Sequence, residues 1–472
     1  MADKLKSKTR SAGHACLDCG YSAGKWFGKC PDCGSWNGVE LTPAGEAVVS
    51  VSSLDQQPED TPRFSCGIAE VDRVLGGGIV PGAVILLAGE PGIGKSTLVL
   101  QMIDGARRAG RKTLLVSGEE SLAQVGMRAR RLGVNTAEFR SAATSSLPAI
   151  EAAVLSELPD VLVVDSVQTL EDPGLEQAAG SVSQVRDCTA RLVRRAKESA
   201  VAMILVGHVT KDGNVAGPKT LEHMVDAVLT IDGERTGALR LLRAAKNRFG
   251  SCEETGVFTM EQSGLQAVAD PSAMLLEDRC AGTSGSIIFP ALEGTRTLLI
   301  ELQALIVGSS LPHPRRVASG LDAKRLAILL GVLAQRAHHP LHEKDVFAAA
   351  SGGLDVREPA ADLAIALALA SSSCESPIDP GLIAFGEIGL GGEIRRVPAG
   401  ERRLVEAARM GFTSALVPRG TASKAVGLQV HEVRTLHEAL GLLGLDAGPR
   451  KALKAKQGEQ SPVVSLGIER PA

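Results

Sequence analysis

The sequence predicts an α/β protein: a mainly parallel sheet flanked by helices and built around a phosphate-binding loop, with a four-cysteine metal module in front and a second α/β unit behind. Three observations carry this expectation. Apolar, strand-like runs alternate with helical stretches between residues 63 and 270, the pattern of a parallel sheet covered on both faces. The segment GEPGIGKST, residues 89–97, stands between one such run and a helical run. Two Cys-x-x-Cys pairs lie within the first 40 residues.

The first element, residues 1–40, is polar and rich in Gly and Cys. Cys16 and Cys19 form one pair and Cys30 and Cys33 the other, with ten residues between the pairs. Each pair presents two thiolates to one metal, and four thiolates close a tetrahedral site for a structural Zn2+ with no position left for water. Residues 41–62 carry SVSSLDQQPEDTP and read as a linker. The α/β core at 63–270 has candidate strands at 84–88, 113–116, 161–164, 203–206, 227–231 and 239–243. The second unit, 271–445, shows a strand at 297–304 and helices at 324–336 and 361–371. The tail, 446–472, is polar and basic and reads as disordered.

Bulk properties narrow the function classes. Hydrophobic residues make up 44% of the 472 and aromatics 3%, so the cores pack from Ala, Val, Leu and Ile, and base stacking is not the main mode of any nucleic-acid contact. With a net charge of −3, such a contact depends on local basic patches. The basic start MADKLKSKTR has no apolar stretch after it and is not a signal peptide. No run of about 18 apolar residues occurs. The expectation is a cytoplasmic protein with no membrane partner. The cysteines outside the two pairs (Cys66, Cys188, Cys252, Cys280, Cys374) are scattered, which suits a reducing compartment.

Gly89, Glu90, Pro91, Gly92, Ile93, Gly94, Lys95, Ser96 and Thr97 match GxxxxGK(S/T) throughout, after the apolar run AVILLA and before LVLQMIDGARRA. In that context backbone N–H groups cradle the phosphates of ATP at a helix N-terminus. Lys95 reaches the β- and γ-phosphates and the Ser96 hydroxyl holds Mg2+. Asp165, after VLVV, is the candidate acid that binds Mg2+ through water. Glu119 and Glu120 follow TLLVS at the strand's C-terminal edge, where such sheets hold ligands; either is a candidate base. Lys246 and Arg248 follow LRLLRAA two residues apart and point to one side.

These motifs, together with SGEES (117–121), SVSQVRD (181–187), GHVTKDGNVAGPKTLEHMVD (207–226) and KNRFG (246–250), resemble the bacterial RadA/Sms family of RecA-like DNA repair ATPases over nearly the whole chain. The resemblance implies a RecA-like core and a hexameric ring that hydrolyses ATP while moving on single-stranded DNA. It implies branch migration of recombination intermediates, with branched DNA as substrate and the RecA recombinase as partner. It places Glu119 on the catalytic glutamate. It also reads Lys246 and Arg248 as fingers that neutralise charge on a neighbour's γ-phosphate, because DnaB-type helicases carry a similar Lys-x-Arg there.

In RecA-like folds the channel loops touch DNA. The corresponding segments here are 181–187, with Gln184 and Arg186, and 210–220, with Lys211 and Lys219; His208 either senses the γ-phosphate or packs at a strand end. Phosphate contacts of this kind are sequence-independent and salt-sensitive. The C-terminal unit resembles the proteolytic domain of Lon, but Ala360 stands at the nucleophilic Ser and Glu401 at the Lys base, so no dyad forms. Basic residues such as Arg325 and Arg403 permit DNA contact there. The leading reading is therefore a DNA-dependent ATPase motor of recombinational repair. The alternatives are an ATP-dependent Lon-like protease or unfoldase and a nucleotide-dependent binding protein that does not translocate.

Overall fold

The computed structural model describes residues 13–16, 22–23, 28–31, 36, 39–42, 62–208, 218–233, 239–421 and 427–446. Met1–Thr61 and Pro62–Ala472 are separate compact units. In the first, strand β1 (Gly13–Cys16) pairs antiparallel with β2 (Ser22–Ala23) and β3 (Val39–Thr42). Cys16 ends β1 and Cys30 is buried; Cys19 and Cys33 lie outside the described residues.

The second unit opens with helix α1 (Ala69–Val74) and a nine-stranded sheet. Its strands are β4 (Val84–Gly89), β5 (Thr113–Ser117), β6 (Arg140–Ala143), β7 (Val161–Asp165), β8 (Ala202–His208), β9 (Ala227–Asp232), β10 (Leu239–Asn247), β11 (Thr255–Glu261) and β12 (Gly264–Ala267). The spatial order is β12-β11-β10-β9-β4-β8-β7-β5-β6. From β9 to β6 all neighbours are parallel, and β10, β11 and β12 extend the sheet antiparallel. The connections are helices α2 (Lys95–Arg108), α3 (Leu122–Arg131), α4 (Leu147–Glu157), α5 (Val182–Ser199) and the short α6 (Pro218–Leu221).

Strand side chains alternate between faces, and the cores follow that alternation. Ile85, Leu87, Val163 and Ile204 join a core under α2 with Leu98, Met102 and Ile103. Val84, Leu86, Val164 and Leu205 join a core under α4 and α5 with Ile150, Val185 and Leu192. Strands buried on both faces explain why β4, β7 and β8 read as unbroken apolar runs.

Beyond α7 (Pro271–Leu276) a seven-stranded sheet takes over, ordered β15-β16-β14-β13-β17-β20-β21. These are β13 (Ser286–Glu293), β14 (Arg296–Gly308), β15 (Arg316–Ser319), β16 (Lys344–Ala350) and β17 (Leu382–Ala384), with β20 (Ser414–Pro418) and β21 (Gln429–Val433) after the small hairpin β18 (Glu387–Ile388) and β19 (Ile394–Arg395). Helices α8 (Ala323–Arg336), α9 (Asp362–Cys374), α10 (Gly400–Arg409) and α11 (Leu436–Leu442) accompany it. Helix α9 is apolar on every face from Leu363 to Ala370 and buried from Asp362 to Ser372, as suits a helix enclosed in a core.

The two sheets share packing. Leu239 and Leu241 of β10 and Val257 of β11 lie in the same core as Phe289 and Leu299. Ion pairs Glu70–Arg296 at 2.7 Å and Arg243–Glu293 at 2.6 Å cross the junction.

Arg403, on α10, is fully buried. It pairs with Glu358 at 2.5 Å, donates to the carbonyls of Pro290 and Pro398, and lies 5.6 Å from the Phe289 ring and 5.7 Å from the Phe385 ring. Glu358 also accepts the Leu292 N–H at 2.8 Å. Arg403 is thus a structural strut and not the DNA-facing cation that the sequence permitted. Arg325 is likewise committed, with Nε donating to the buried Asp362 at 2.8 Å. Removing one partner of a buried pair leaves the other charge desolvated. Arg403→Ala is expected to destabilise the fold by about 3–5 kcal/mol in urea denaturation; a loss below about 1 kcal/mol contradicts the strut.

Candidate active site

The parallel register gathers the candidate residues at one edge of the sheet. Gly89 pairs with His208, Ser117 with Asp165, and Asp165 with Val206, so the phosphate loop, Asp165 and the turn after β5 all emerge at the C-terminal ends of strands within the run β4-β8-β7-β5, where open α/β sheets bind ligands.

The loop leaves β4 at Gly89 and enters α2 at Lys95. Gly94 caps α2 in the left-handed region, φ 119°, a conformation that restricts the position to glycine. Around Gly92 an added Cβ would meet no heavy atom within 4 Å, which leaves room for phosphate oxygens. Lys95 is buried, and its Nζ donates to the carbonyls of Gly89 at 2.9 Å and Glu90 at 3.0 Å. Burial pushes its pKa down, while Asp165 and Glu119 pull it back up. Among the described residues this buried ammonium is held by carbonyls of its own loop, partners that an anion's oxygens can replace.

Glu119 and Glu120, alike in sequence, have different surroundings. Gly118 donates its N–H to Asp165 O at 2.8 Å, and a Cβ at Gly118 would fall 2.0 Å from Thr169 Oγ1. This close approach turns Glu119 towards β7, where its carboxylate accepts the hydroxyl of the buried Ser166. Glu120 is ion-paired with Arg128 of α3 and lies on the wall of a small cavity that also includes Ser96, Ser117 and Asp165. Ser96 and Asp165 lining one cavity fits a Mg2+ held between them.

Lys246 and Arg248 do not join this site. Gly89 pairs with Ile231 of β9, whereas Asn247 pairs with Ala227 and Lys246 with Val228. Because β10 runs back against β9, its end lies at the opposite edge of the sheet from the phosphate loop. Four β9 residues alone amount to about 13 Å at ~3.3 Å per residue. Lys246 Nζ donates to the carbonyls of Glu222 at 2.6 Å and Val225 at 2.9 Å, and Arg248 is exposed, with Nη1 3.2 Å from Asp226 Oδ1.

The candidate DNA residues divide three ways. Residues 181–187, expected as a loop, are instead the start of α5, which Ser181 caps by accepting the Gln184 N–H; the Ser-x-x-Gln spacing is a helix-start signal. Gln184 is corrected from a DNA-facing to a buried residue, 3% exposed, with Nε2 donating to Asp172 O at 3.3 Å. Arg186 is exposed on the same turn. Lys211 lies outside the described residues. Lys219 falls in α6, and His208 ends β8.

In the C-terminal unit, Ala360 is buried and Glu401 is exposed at the start of α10. Ser166, Asp226 and Lys197 are partners that no local sequence pattern signals: Ser166 hydrogen-bonds a residue 47 positions away and Lys197 one 29 away.

The KaiC ATPase family matches residues 64–153 and the rubredoxin metal-binding domain family matches residues 14–40, a span that contains all four paired cysteines. Among curated proteins, the DNA repair protein RadA of Pseudomonas aeruginosa is 46% identical over 446 residues, 91% of this chain and 98% of that one. RadA of Aquifex aeolicus is 43% identical, covering 93% and 99%. RadA of Escherichia coli is 44% identical, covering 92% and 99%.

The surroundings of the two glutamates give different expectations. Glu119→Gln is expected to lower ATP turnover about 10²-fold or more while nucleotide still binds, and Glu120→Gln less than about tenfold. Turnover assays with nucleotide-binding titrations check this; the reverse ranking contradicts the assignment.

Proposed function

The chain belongs to the RadA family of DNA repair proteins, and from that premise we propose that it is a DNA-dependent ATPase motor that works as a ring on single-stranded and branched DNA in recombinational repair. The RecA/KaiC-like core makes it an ATPase and the family makes it a DNA repair protein. Branch migration, the hexamer, partnership with the RecA recombinase and the helicase type of activity are the finer parts of the proposal.

In this reading Lys95 exchanges its loop carbonyls for β- and γ-phosphate oxygens of ATP. Ser96 and Asp165 would hold Mg2+, which when bound would supply neutralisation of phosphate charge. Glu119, steadied by Ser166, orients and deprotonates the attacking water. Lys246 and Arg248 complete the site of the neighbouring subunit. The observation that carries this is the opposite-edge placement of KNRFG and GEPGIGKST, since one subunit cannot bring both to the same phosphate. Arg186, Lys211 and Lys219 supply cations to DNA phosphates. Cys16, Cys19, Cys30 and Cys33 hold Zn2+ in the N-terminal module, in keeping with its rubredoxin-type match. No helix among the described residues is long and apolar enough to cross a membrane.

The protease reading receives no support. A buried methyl at Ala360 and a carboxylate at Glu401 supply neither the hydroxyl nor the amine of a Ser-Lys dyad, and the neighbouring Arg403 is locked to Glu358.

A finger acting in trans predicts complementation. Arg248→Ala is expected to lose about 10³-fold in ATP turnover, and mixing with Lys95→Ala subunits, themselves inactive, is expected to restore part of it. Mixed assemblies that stay inactive contradict the trans reading.

A further inference from the structure

The KNRFG turn is braced at nearly every polar group. Lys246 Nζ is held by two carbonyls of residues 222–225. Asn247 Nδ2 donates to Val74 O at 3.2 Å, and its Oδ1 accepts the Phe249 N–H at 2.9 Å. Arg63 Nη2 donates to Phe249 O at 2.6 Å. The exception is the Arg248 guanidinium, whose side chain is 55% exposed and which has one protein contact among the described residues, Asp226. One N–H of the fork is anchored, and its other donors have no partner among the described residues.

The anchor is itself fixed. Asp226 is 3% exposed. Its Oδ2 accepts Lys197 Nζ at 2.7 Å and the Val84 N–H at 3.0 Å, and its own N–H donates to Val84 O at 2.9 Å. Its carbonyl accepts the Arg248 N–H at 3.0 Å. Asp226 is thus bonded in both directions to the first residue of β4, and Gly89, the last residue of β4, opens the phosphate loop. One strand carries the subunit's own phosphate loop at one end and, through Asp226, Arg248 at the other.

We propose that Asp226 is the positioning residue for Arg248: it holds the guanidinium at the angle from which it meets the neighbouring subunit's terminal phosphate, and it fixes that angle to the strand bearing the subunit's own phosphate loop. This rests on Arg248 acting in trans. The chemical logic is that of a carboxylate held behind the proposed finger. Oδ1 engages one N–H of the fork while Lys197 and Val84 saturate Oδ2, so the carboxylate cannot swing to capture the remaining donors. Arg248 therefore keeps donors for phosphate oxygens that fit its planar geometry. Displacing a reacting or stabilising group by about 1 Å costs on the order of 10²-fold in rate.

The test uses full-length chains. Asp226→Asn is nearly isosteric and weakens the hold on Arg248. It is expected to lower kcat about 10- to 100-fold, with KM for ATP and the affinity for a fluorescent ATP analogue changed less than about threefold, because the subunit's own phosphate loop is intact. Mixing with Lys95→Ala subunits, which carry a correctly held Arg248, is expected to raise turnover at least about fivefold. A merely structural role for Asp226 would weaken nucleotide binding and would not be rescued, so loss of affinity without rescue overturns the proposal, as does unchanged turnover. If Asp226→Asn does not fold, Asp226→Glu keeps the charge and shifts it by one methylene; a loss that the same mixing rescues supports positioning, and one that it leaves in place overturns it. Arg248→Ala mixed with Lys95→Ala separates the two claims. If that control is rescued and Asp226→Asn is not, only the positioning role fails. If the control is not rescued, the finger reading fails and takes the positioning role with it.

Discussion

Four residues of β9 separate the pairing position of Gly89 from that of Asn247, and much of the functional reading depends on that separation. The phosphate loop must sit at the C-terminal ends of the parallel strands, because there the backbone N–H groups and the start of α2 face outward. Strand β10 is antiparallel to β9, so its own C-terminal end points the other way. The cations of KNRFG are therefore placed away from the phosphate of their own chain by sheet topology, which side-chain flexibility does not undo. In the proposed ring a second copy, turned so that one sheet edge faces the other, supplies the missing half, and a repeated head-to-tail contact gives a ring when its rotation closes.

A second constraint is the treatment of buried charge. Lys95 is held by carbonyls between two carboxylates, Asp226 by two cations and a backbone N–H, and Arg403 by Glu358 and two carbonyls. Burial alone would push the Asp226 carboxyl up, but Lys197, the Val84 N–H and Arg248 together hold it below the usual range. These arrangements serve different ends. At Arg403 every donor is turned inward and the group braces the C-terminal core. At Lys95 the partners are exchangeable carbonyls, which suits a cation whose task is to receive phosphate. At Asp226 the pairing is asymmetric, and it leaves Arg248 half free.

Much of this was legible in the sequence where the signal is local. The loop GEPGIGKST with its flanking strand and helix, five of the six apolar strands and the helices near 324–336 and 361–371 appear with small changes at their ends, whereas the strand expected at 239–243 runs on to Asn247 and takes in Lys246. Strand β6 escaped because RSAA offers no apolar run, and its residues are largely exposed at the sheet edge. The 181–187 segment was misread because Ser, Gln, Arg and Asp resemble a polar loop; the buried face of α5 begins only with Gln184, Val185 and Cys188. Local pattern did not rank Glu119 and Glu120, and only the family resemblance favoured Glu119; in the structure what separates them is Ser166 on one side and Arg128 on the other. The role of Asp226 was hidden in a diagnostic string, because its partners Val84 and Lys197 are distant in the chain.

The central claim, that one subunit grips the nucleotide and the next supplies the neutralising cation, is tested most directly by ATP turnover per subunit across a dilution series, with native mass recorded at each point. The account predicts that turnover per subunit falls about 10²-fold or more as assemblies dissociate into single chains that still bind nucleotide. Full turnover by a verified monomer would contradict it.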